Sequence, residues 1–269
     1  MYIAGTGLSG EIPPELGDIK SLTSLLLFDN DLSGEIPPEL GDLSGLKGLY
    51  LSGNGLTGGI PPELGKLDSV GDMSLAGNRL TGGVPPELGN MSSLWHLNLR
   101  SNHLSGPIPP ELGDLSNLQN LYLDNNNLTG PIPPKLGDLS NLRDLYVYNN
   151  DLTGRPPPEL GNLSGLVRLH MYNNASLEGE LPSGFSNLMS LEEFLAHGTD
   201  VCVPEALLDW YRGIDKRRAT LCAYTPPDAY LTQAVQSRED PVPVVGDKEA
   251  LLRVFVTATR TTTETLPPA

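Results

Sequence analysis

An asparagine recurs at a fixed interval through most of this chain of 269 residues, and this period constrains the fold more than any other feature. The recurring residues are Asn30, Asn54, Asn78, Asn102, Asn126, Asn150 and Asn174, each 24 residues after the one before. Leucines recur in the same register, as L-x-x-L-x-L-x-x-N. A repeat of about 20–29 residues with this core is typical of a solenoid, in which each turn packs only against its neighbours. The sequence therefore predicts a stack of similar turns.

One unit, residues 118–141, shows what each position contributes. Leu121 and Leu123 alternate as the inward side of a strand does, so stacked repeats would form a parallel sheet with strands about 4.8 Å apart. Asn126 follows where the chain turns inward. Its amide both donates and accepts, so stacked asparagines would satisfy buried backbone groups. Gly130 permits a turn with positive φ, and Pro134 suits the first turn of a short helix.

A second motif, L-(S/T)-G-x-(I/V)-P-P-E-L-G, occupies residues 32–41, 56–65, 80–89 and 104–113. These residues resemble the plant-type leucine-rich repeats of receptor-like kinase ectodomains and polygalacturonase inhibitors. The resemblance implies an α/β repeat fold, a right-handed solenoid with a parallel concave β-sheet and with short helices and 3-10 turns on its convex side. We assign residues 1–200 to this solenoid. The resemblance also implies that the Ile-Pro segment forms a second small sheet, which Pro156, in place of the isoleucine, should weaken.

Residues 201–223 are predicted to form a C-terminal cap. A helical pattern begins at Pro204 and continues with apolar residues at helix spacing, among them Leu207, Trp210 and Ile214. Cys202 and Cys222, the two cysteines of the chain, bracket this helix. Such a pair indicates a disulfide, worth about 3 kcal/mol for a loop of this length. The alternative is two free thiols in a cytosolic protein.

Beyond the cap, residues 224–240 are predicted to be a linker. Residues 241–269 are predicted to be the truncated start of a β-rich module, because Leu252, Val254 and Val256 alternate on one face of a strand. This segment resembles the opening of Ig-like β-sandwiches in secreted microbial proteins. The chain begins in mid-repeat at Met1 without an N-terminal cap, so we expect it to be part of a longer protein.

The formal net charge of −16 argues against nucleic acid as a partner, because nucleic-acid binding requires a basic face. No stretch of about 18 apolar residues is present, so no membrane span is predicted within this chain. No phosphate-binding, kinase, zinc-protease or nucleophile-elbow motif occurs. The histidines His96, His103, His170 and His197 fall in different repeats or rows, so no metal site is predicted. We therefore expect no enzymatic activity and no cofactor.

The outward-pointing strand residues would line the concave face, and their composition changes along the stack. Repeats from residue 46 to 93 carry mostly small and polar side chains there, whereas residues 94–198 concentrate aromatic rings, arginines and histidines. The predicted binding residues are Trp95, His96, Arg100, Tyr122, Arg143, Tyr146, Tyr148, Arg168, His170, Tyr172 and His197. Tyr, Trp and Arg are enriched at binding hot spots. The alternative is that exposed strand positions favour tyrosine for its own packing.

These features favour a non-enzymatic extracellular or cell-surface recognition module that binds a protein, peptide or glycan on its concave face. Two alternatives stay open. One is a noncatalytic arm of a larger enzyme, either a receptor-like kinase or a secreted hydrolase. The other is a structural or adhesive wall protein. Sequons at Asn90, Asn127, Asn162 and Asn174 fit a secreted glycoprotein, although the repeat motif itself creates such sequences.

Overall fold

The computed structural model describes residues 1–222, and the predicted linker and β-rich module lie outside the described residues. Within them, the main sheet has nine parallel strands, which lie side by side in the order in which they occur in the chain. Each strand is only three residues long. These strands are Ser24–Leu26, Gly48–Tyr50, Asp72–Ser74, His96–Asn98, Asn120–Tyr122, Asp144–Tyr146, Arg168–His170, Glu193–Leu195 and Lys216–Arg218. We call this sheet the concave sheet. The predicted solenoid fold is confirmed.

Equivalent residues of successive repeats pair directly, so that Leu145 lies between Leu121 and Leu169. All three leucines are fully buried, as are most leucines of the repeat motif. Each turn therefore closes its own small core against the turns on both sides. Because side chains alternate across a strand, this register also sets the outward residues in rows that run the length of the sheet.

The opposite side of the solenoid consists of short 3-10 helices. They are Pro14–Asp18, Pro38–Asp42, Pro62–Lys66, Pro86–Asn90, Pro110–Asp114, Pro134–Asp138, Pro158–Asn162, Ser183–Asn187 and Glu205–Leu207. A glycine in these helices packs against the next turn: at Gly137 an added Cβ would collide with the carbonyl oxygen of Glu159. Close approach between turns thus explains the glycine of the P-P-E-L-G motif.

A second set of strands runs along one flank. Ser9–Glu11 pairs with Asp31–Ser33, and a six-stranded sheet comprises Ser105–Pro107, Asn127–Gly130, Asp151–Gly154, Ser176–Glu180, Asp200–Val203 and Thr220–Leu221. Only an isolated bridge between Glu35 and Thr57 lies in the interval, where the repeats carry Gly-Gly pairs. Glycine weakens strands, which accounts for the interruption.

One expectation about this second sheet is wrong. Its strands consist of the residues before the Ile-Pro pair, not of the pair itself, because proline has no N–H to donate to a ladder. The strand Asp151–Gly154 ends before Pro156 and pairs on both sides, through Thr129 and Ser176. Each of these pairings joins only two residue pairs, compared with three between Ser105–Pro107 and Asn127–Gly130, so the sheet continues beside Pro156 with a shorter ladder.

The end of the described chain adds a helix and two strands. The α-helix Leu208–Arg212 follows the last 3-10 helix, and its Trp210 packs against Phe185 and Phe194. A disulfide joins Cys202 to Cys222, as the sequence indicates. Lys216–Arg218 and Thr220–Leu221 then extend the concave and second sheets, two strands that sequence analysis did not predict.

Candidate binding surface

The repeated asparagines hold the concave sheet in register. Asn126 illustrates the pattern: its Oδ1 accepts from the N–H of Leu104, and its Nδ2 donates to the carbonyl oxygens of Leu99 and Leu123, at 3.0, 3.1 and 3.1 Å. Corresponding bonds occur at Asn30, Asn54, Asn78, Asn102, Asn150 and Asn174. Every turn is thereby bonded to the next, which fixes the spacing of the rows on the concave face.

Two rows of rings dominate that face in the C-terminal half. The first ring stack consists of Tyr122, Tyr146 and His170, with ring centroids 4.7 and 4.4 Å apart. At its N-terminal end, His96 meets Tyr122 edge-on, with centroids 5.3 Å apart. Trp95, which is 42% exposed, leans against His96. The structure thus brings these predicted residues into one continuous series.

The second ring stack, in the next outward row, consists of Tyr148, Tyr172 and His197, with centroids 4.3 and 4.6 Å apart. Within both stacks the rings lie nearly parallel, so they cover one another's faces. What the stacks offer to a ligand is mainly ring edges and hydroxyl groups.

A buried carboxylate supports the first ring stack, and sequence analysis did not select it. Asp144 is 1% exposed although it lies at an outward strand position. It accepts two bonds from Arg168, from Nε at 2.6 Å and Nη2 at 2.7 Å, and a third from the Tyr122 hydroxyl at 3.1 Å. Arg168 is therefore committed to an internal ion pair. Burial, followed by the Asp144 charge, raises the pKa of Tyr122, which stays a neutral donor.

His170 is buried, in contrast to the exposed position predicted for it. Its Nε2 lies 3.0 Å from Glu193, which also accepts from Lys216 at 3.0 Å. Burial lowers the pKa of His170, and the bond to Glu193 only partly opposes this. Burial likewise lowers the pKa of His96 and of His197. The three imidazoles of the face are therefore neutral at pH 7.

The two remaining predicted residues are cations at the margin of the rings. Arg100 lies in the row of the second ring stack, and Arg143 precedes the strand Asp144–Tyr146. Both are exposed, and neither forms an ion pair with another residue of the described segment. Residues 1–222 also contain no group of three His, Cys, Asp or Glu side chains placed to hold a metal ion.

A second hydrogen-bonded series of asparagines lies one residue beyond the row of the second ring stack in each repeat. Asn125, Asn149 and Asn173 have positive φ, between 51° and 55°. Asn173 Nδ2 donates to Asn149 Oδ1 at 2.7 Å, and Asn149 Nδ2 donates to Asn125 Oδ1 at 2.6 Å. We call these three residues the outer asparagine chain. The Asn-Asn pairs at 125–126, 149–150 and 173–174 could have indicated this series from the sequence, because asparagine tolerates the left-handed backbone conformation that the first residue of each pair adopts.

Comparison with known proteins is consistent with this architecture. Six segments match the Leucine Rich Repeat family, at residues 21–43, 45–67, 72–91, 93–115, 117–139 and 141–163. The chain therefore belongs to the leucine-rich-repeat family. A comparison with curated proteins gives no match. No helix in the described part of the chain combines the length and apolarity needed to cross a bilayer.

Among solved structures, the chain is similar to the plant peptide hormone receptor RGFR1 in complex with RGF2. The identity is 34% and the TM-score 0.72, over 76% of this chain and 32% of that one. The Arabidopsis receptor kinase HAESA, in complex with the peptide hormone IDA and the co-receptor SERK1, is also 34% identical, with a TM-score of 0.70 over 76% and 34% of the two chains. The chain thus spans about a third of the length of these receptors.

A third similar structure is a plant ice-binding protein. The identity is 25% and the TM-score 0.64, and the match covers 84% of each chain. The shared architecture therefore occurs in proteins described as receptors and in one described as ice-binding.

Proposed function

We propose that this chain is a non-enzymatic recognition module of an extracellular, receptor-like protein and that it binds a short extended peptide across its two ring stacks. The observation that carries the proposal is the continuous series of rings and polar tips on one half of one face. The solved structures of similar receptors, described as complexes with peptide hormones, support the choice of a peptide ligand.

The geometry of the rings favours a peptide over a glycan. Sugars bind aromatic residues through open ring faces, whereas Tyr146 has Tyr122 on one face and His170 on the other. Tyr172 is similarly enclosed between Tyr148 and His197. Ring edges and hydroxyls instead suit the side chains and backbone amides of a peptide, since tyrosine combines apolar contact area with a polar tip.

The dimensions also suit a short peptide. From the strand His96–Asn98 to the strand Glu193–Leu195 there are four strand spacings, or about 19 Å. An extended chain advances about 3.3 Å per residue, so about six residues would cross the stacks. The neutral rings and imidazoles allow close contact without a large desolvation cost, while Arg100 and Arg143 provide charge at the margin.

The test uses a displayed library of random hexapeptides, selected for binding to the full chain. Replacing Tyr146 and Tyr172 together by alanine interrupts both stacks. If each ring contributes about 1.4 kcal/mol, the affinity for a selected peptide should fall about 100-fold. Tyr50→Ala is the matched control, because Tyr50 lies on the same sheet but bonds to Asp72, away from the stacks. Equal affinities for the double variant and the control, with unchanged circular dichroism, would refute the proposal.

Ice binding is a second candidate, favoured by the match over 84% of both chains with the plant ice-binding protein. An exposed row of hydroxyl residues on the flank would be its surface: Ser33, Thr57, Thr81, Ser105, Thr129 and Thr153. An ice-recrystallisation assay separates the candidates. Activity that is lost in Thr81→Lys but kept in the Tyr146 and Tyr172 double variant would favour ice over a peptide.

A further inference from the structure

One buried carboxylate on the binding face has an oxygen to which no described residue donates a hydrogen bond at bonding distance. Asp124 lies in the row of the second ring stack and is fully buried. Its Oδ1 accepts no hydrogen bond from any described residue. A buried carboxylate left without a partner is costly, so protein structures normally pair such a group.

Two other carboxylates of this half of the face, the buried Asp144 and the half-buried Glu193, each have a cation as partner. Asp144 holds Arg168 through two bonds, and Glu193 holds Lys216. Asp124 forms no ion pair among the described residues, and burial raises the pKa of its carboxyl group. Asp144 and Glu193 therefore each pair with a cation, whereas Asp124 has no such partner among the described residues.

The second oxygen of Asp124 is held by a directed series of amides. Asn125 Nδ2 donates to Asp124 Oδ2 at 2.7 Å, and Asn149 and Asn173 extend this series as the outer asparagine chain. Each amide donates toward the carboxylate, so the series fixes one oxygen and orients the whole group. Oδ1 is consequently pre-oriented, which lowers the entropic cost of binding a donor there.

The two side chains that flank Asp124 in its row complete the environment. Tyr148 is the first ring of the second stack, so the face turned toward Asp124 is not covered by a stacked ring of that row. Its hydroxyl also interacts with the Asp124 carboxylate, which lowers the carboxyl pKa and partly opposes the effect of burial. A cation beside a tyrosine ring is attracted by its π-system. On the other side lies Arg100, which is exposed and whose charge lowers the pKa of Asp124 without contact.

We propose that Asp124 Oδ1 binds a positively charged group of the ligand, an ammonium or a guanidinium, which enters between Arg100 and Tyr148. Oδ1 is buried in this structure, so binding there requires that neighbouring side chains move aside. The proposal rests on the proposed function, since it names the chemistry of one subsite within the peptide-binding surface. Both an amino terminus and a Lys or Arg side chain carry such a group.

The experiment compares two random hexapeptide libraries, one with free and one with acetylated amino termini. They are selected against the full chain, against Asp124→Asn, and against Asp151→Asn. Asp151 is an exposed carboxylate on the second sheet, so this control makes the same change in net charge away from the face. The chain and the control should enrich one cationic position, and Asp124→Asn should lose this enrichment and at least tenfold in affinity for the selected peptide.

The libraries also distinguish the source of the cation. Enrichment that disappears on acetylation identifies the amino terminus, whereas Lys or Arg at a fixed position in both libraries identifies a side chain. Bound peptides with no cationic preference, or a preference that persists in Asp124→Asn, would overturn the inference and leave the proposed function standing. Selection of no peptide at all would overturn both.

A second measurement avoids dependence on the variant's folding. In the unchanged protein, the carboxyl pKa of Asp124 is followed by carbon NMR with a selected peptide and with its analogue lacking the cation. The cationic peptide should lower this pKa, because an opposite charge nearby favours the ionised form, and the neutral analogue should not. Equal pKa values in the two complexes would contradict the inference.

Discussion

Removal of one asparagine of the repeated series should lower the free energy of unfolding, and the structure assigns this loss to a single backbone N–H group. In Asn126→Ala, the carbonyl oxygens of Leu99 and Leu123 each keep one partner, because Asn102 and Asn150 also donate to them. The N–H of Leu104 is bonded only to Asn126 Oδ1 and would be left unpaired in a buried site. One such group costs about 1–3 kcal/mol, so we expect a loss of about 2 kcal/mol in the free energy of unfolding.

Urea unfolding of the full chain measures the total effect, and amide hydrogen exchange locates it. Repeat arrays often depart from two-state unfolding, so the exchange rate of the Leu104 amide is the sharper readout. Asn127→Ala is the matched control, since Asn127 is adjacent and exposed. A stability change for Asn126→Ala within about 0.5 kcal/mol of the control, with Leu104 still protected, would refute the reasoning.

Three further predictions concern the cap, the convex side and the histidines. Replacing Cys202 and Cys222 by serine should cost about 3 kcal/mol in unfolding free energy, and reducing agent should then have no further effect on the urea midpoint; equal midpoints for both proteins would contradict this. Gly137→Ala should destabilise by about 1–3 kcal/mol through collision with the neighbouring turn, whereas Gly83→Ala, where an added Cβ meets an ordinary contact distance, should be tolerated in the same assay. Because burial lowers the pKa of His170, the unfolded chain binds the proton more readily, so stability should fall as the pH drops below about 6.5, and His170→Gln should flatten that dependence; parallel profiles for the two proteins would exclude this cause.

The solenoid was predictable because its determinants are local and repeated. The 24-residue spacing, the alternating leucines and the polar amide of residues such as Asn126 each restrict the same short segment in the same way. A repeated register also defines which residues point outward, so the membership of both ring stacks followed from the alignment of repeats alone. The helical cap was predictable because its apolar residues keep one spacing.

What sequence analysis missed depends on neighbours in the next repeat. Asp124 and Asp144 occupy outward positions that alternation marks as exposed, yet both are buried, and Asp144 is bonded to Arg168 and Tyr122 of the neighbouring repeats. The ion pair between Asp144 and Arg168 joins residues 24 apart, and no local pattern indicates it. The added strands after residue 215 likewise form by pairing with Glu193–Leu195 and Asp200–Val203, partners that neither the charged Lys216–Arg218 nor the short Thr220–Leu221 suggests by its own sequence.

Covalent labelling of tyrosines, read by mass spectrometry with and without a selected hexapeptide, tests the central claim most directly. Tyr2, which is 72% exposed, and Tyr50 serve as internal references outside the ring stacks. If the ligand lies across the stacks, labelling of Tyr146 and Tyr172 should fall on peptide addition while the references stay unchanged. Unchanged labelling of both stack tyrosines in the presence of saturating peptide would contradict this account of the binding face.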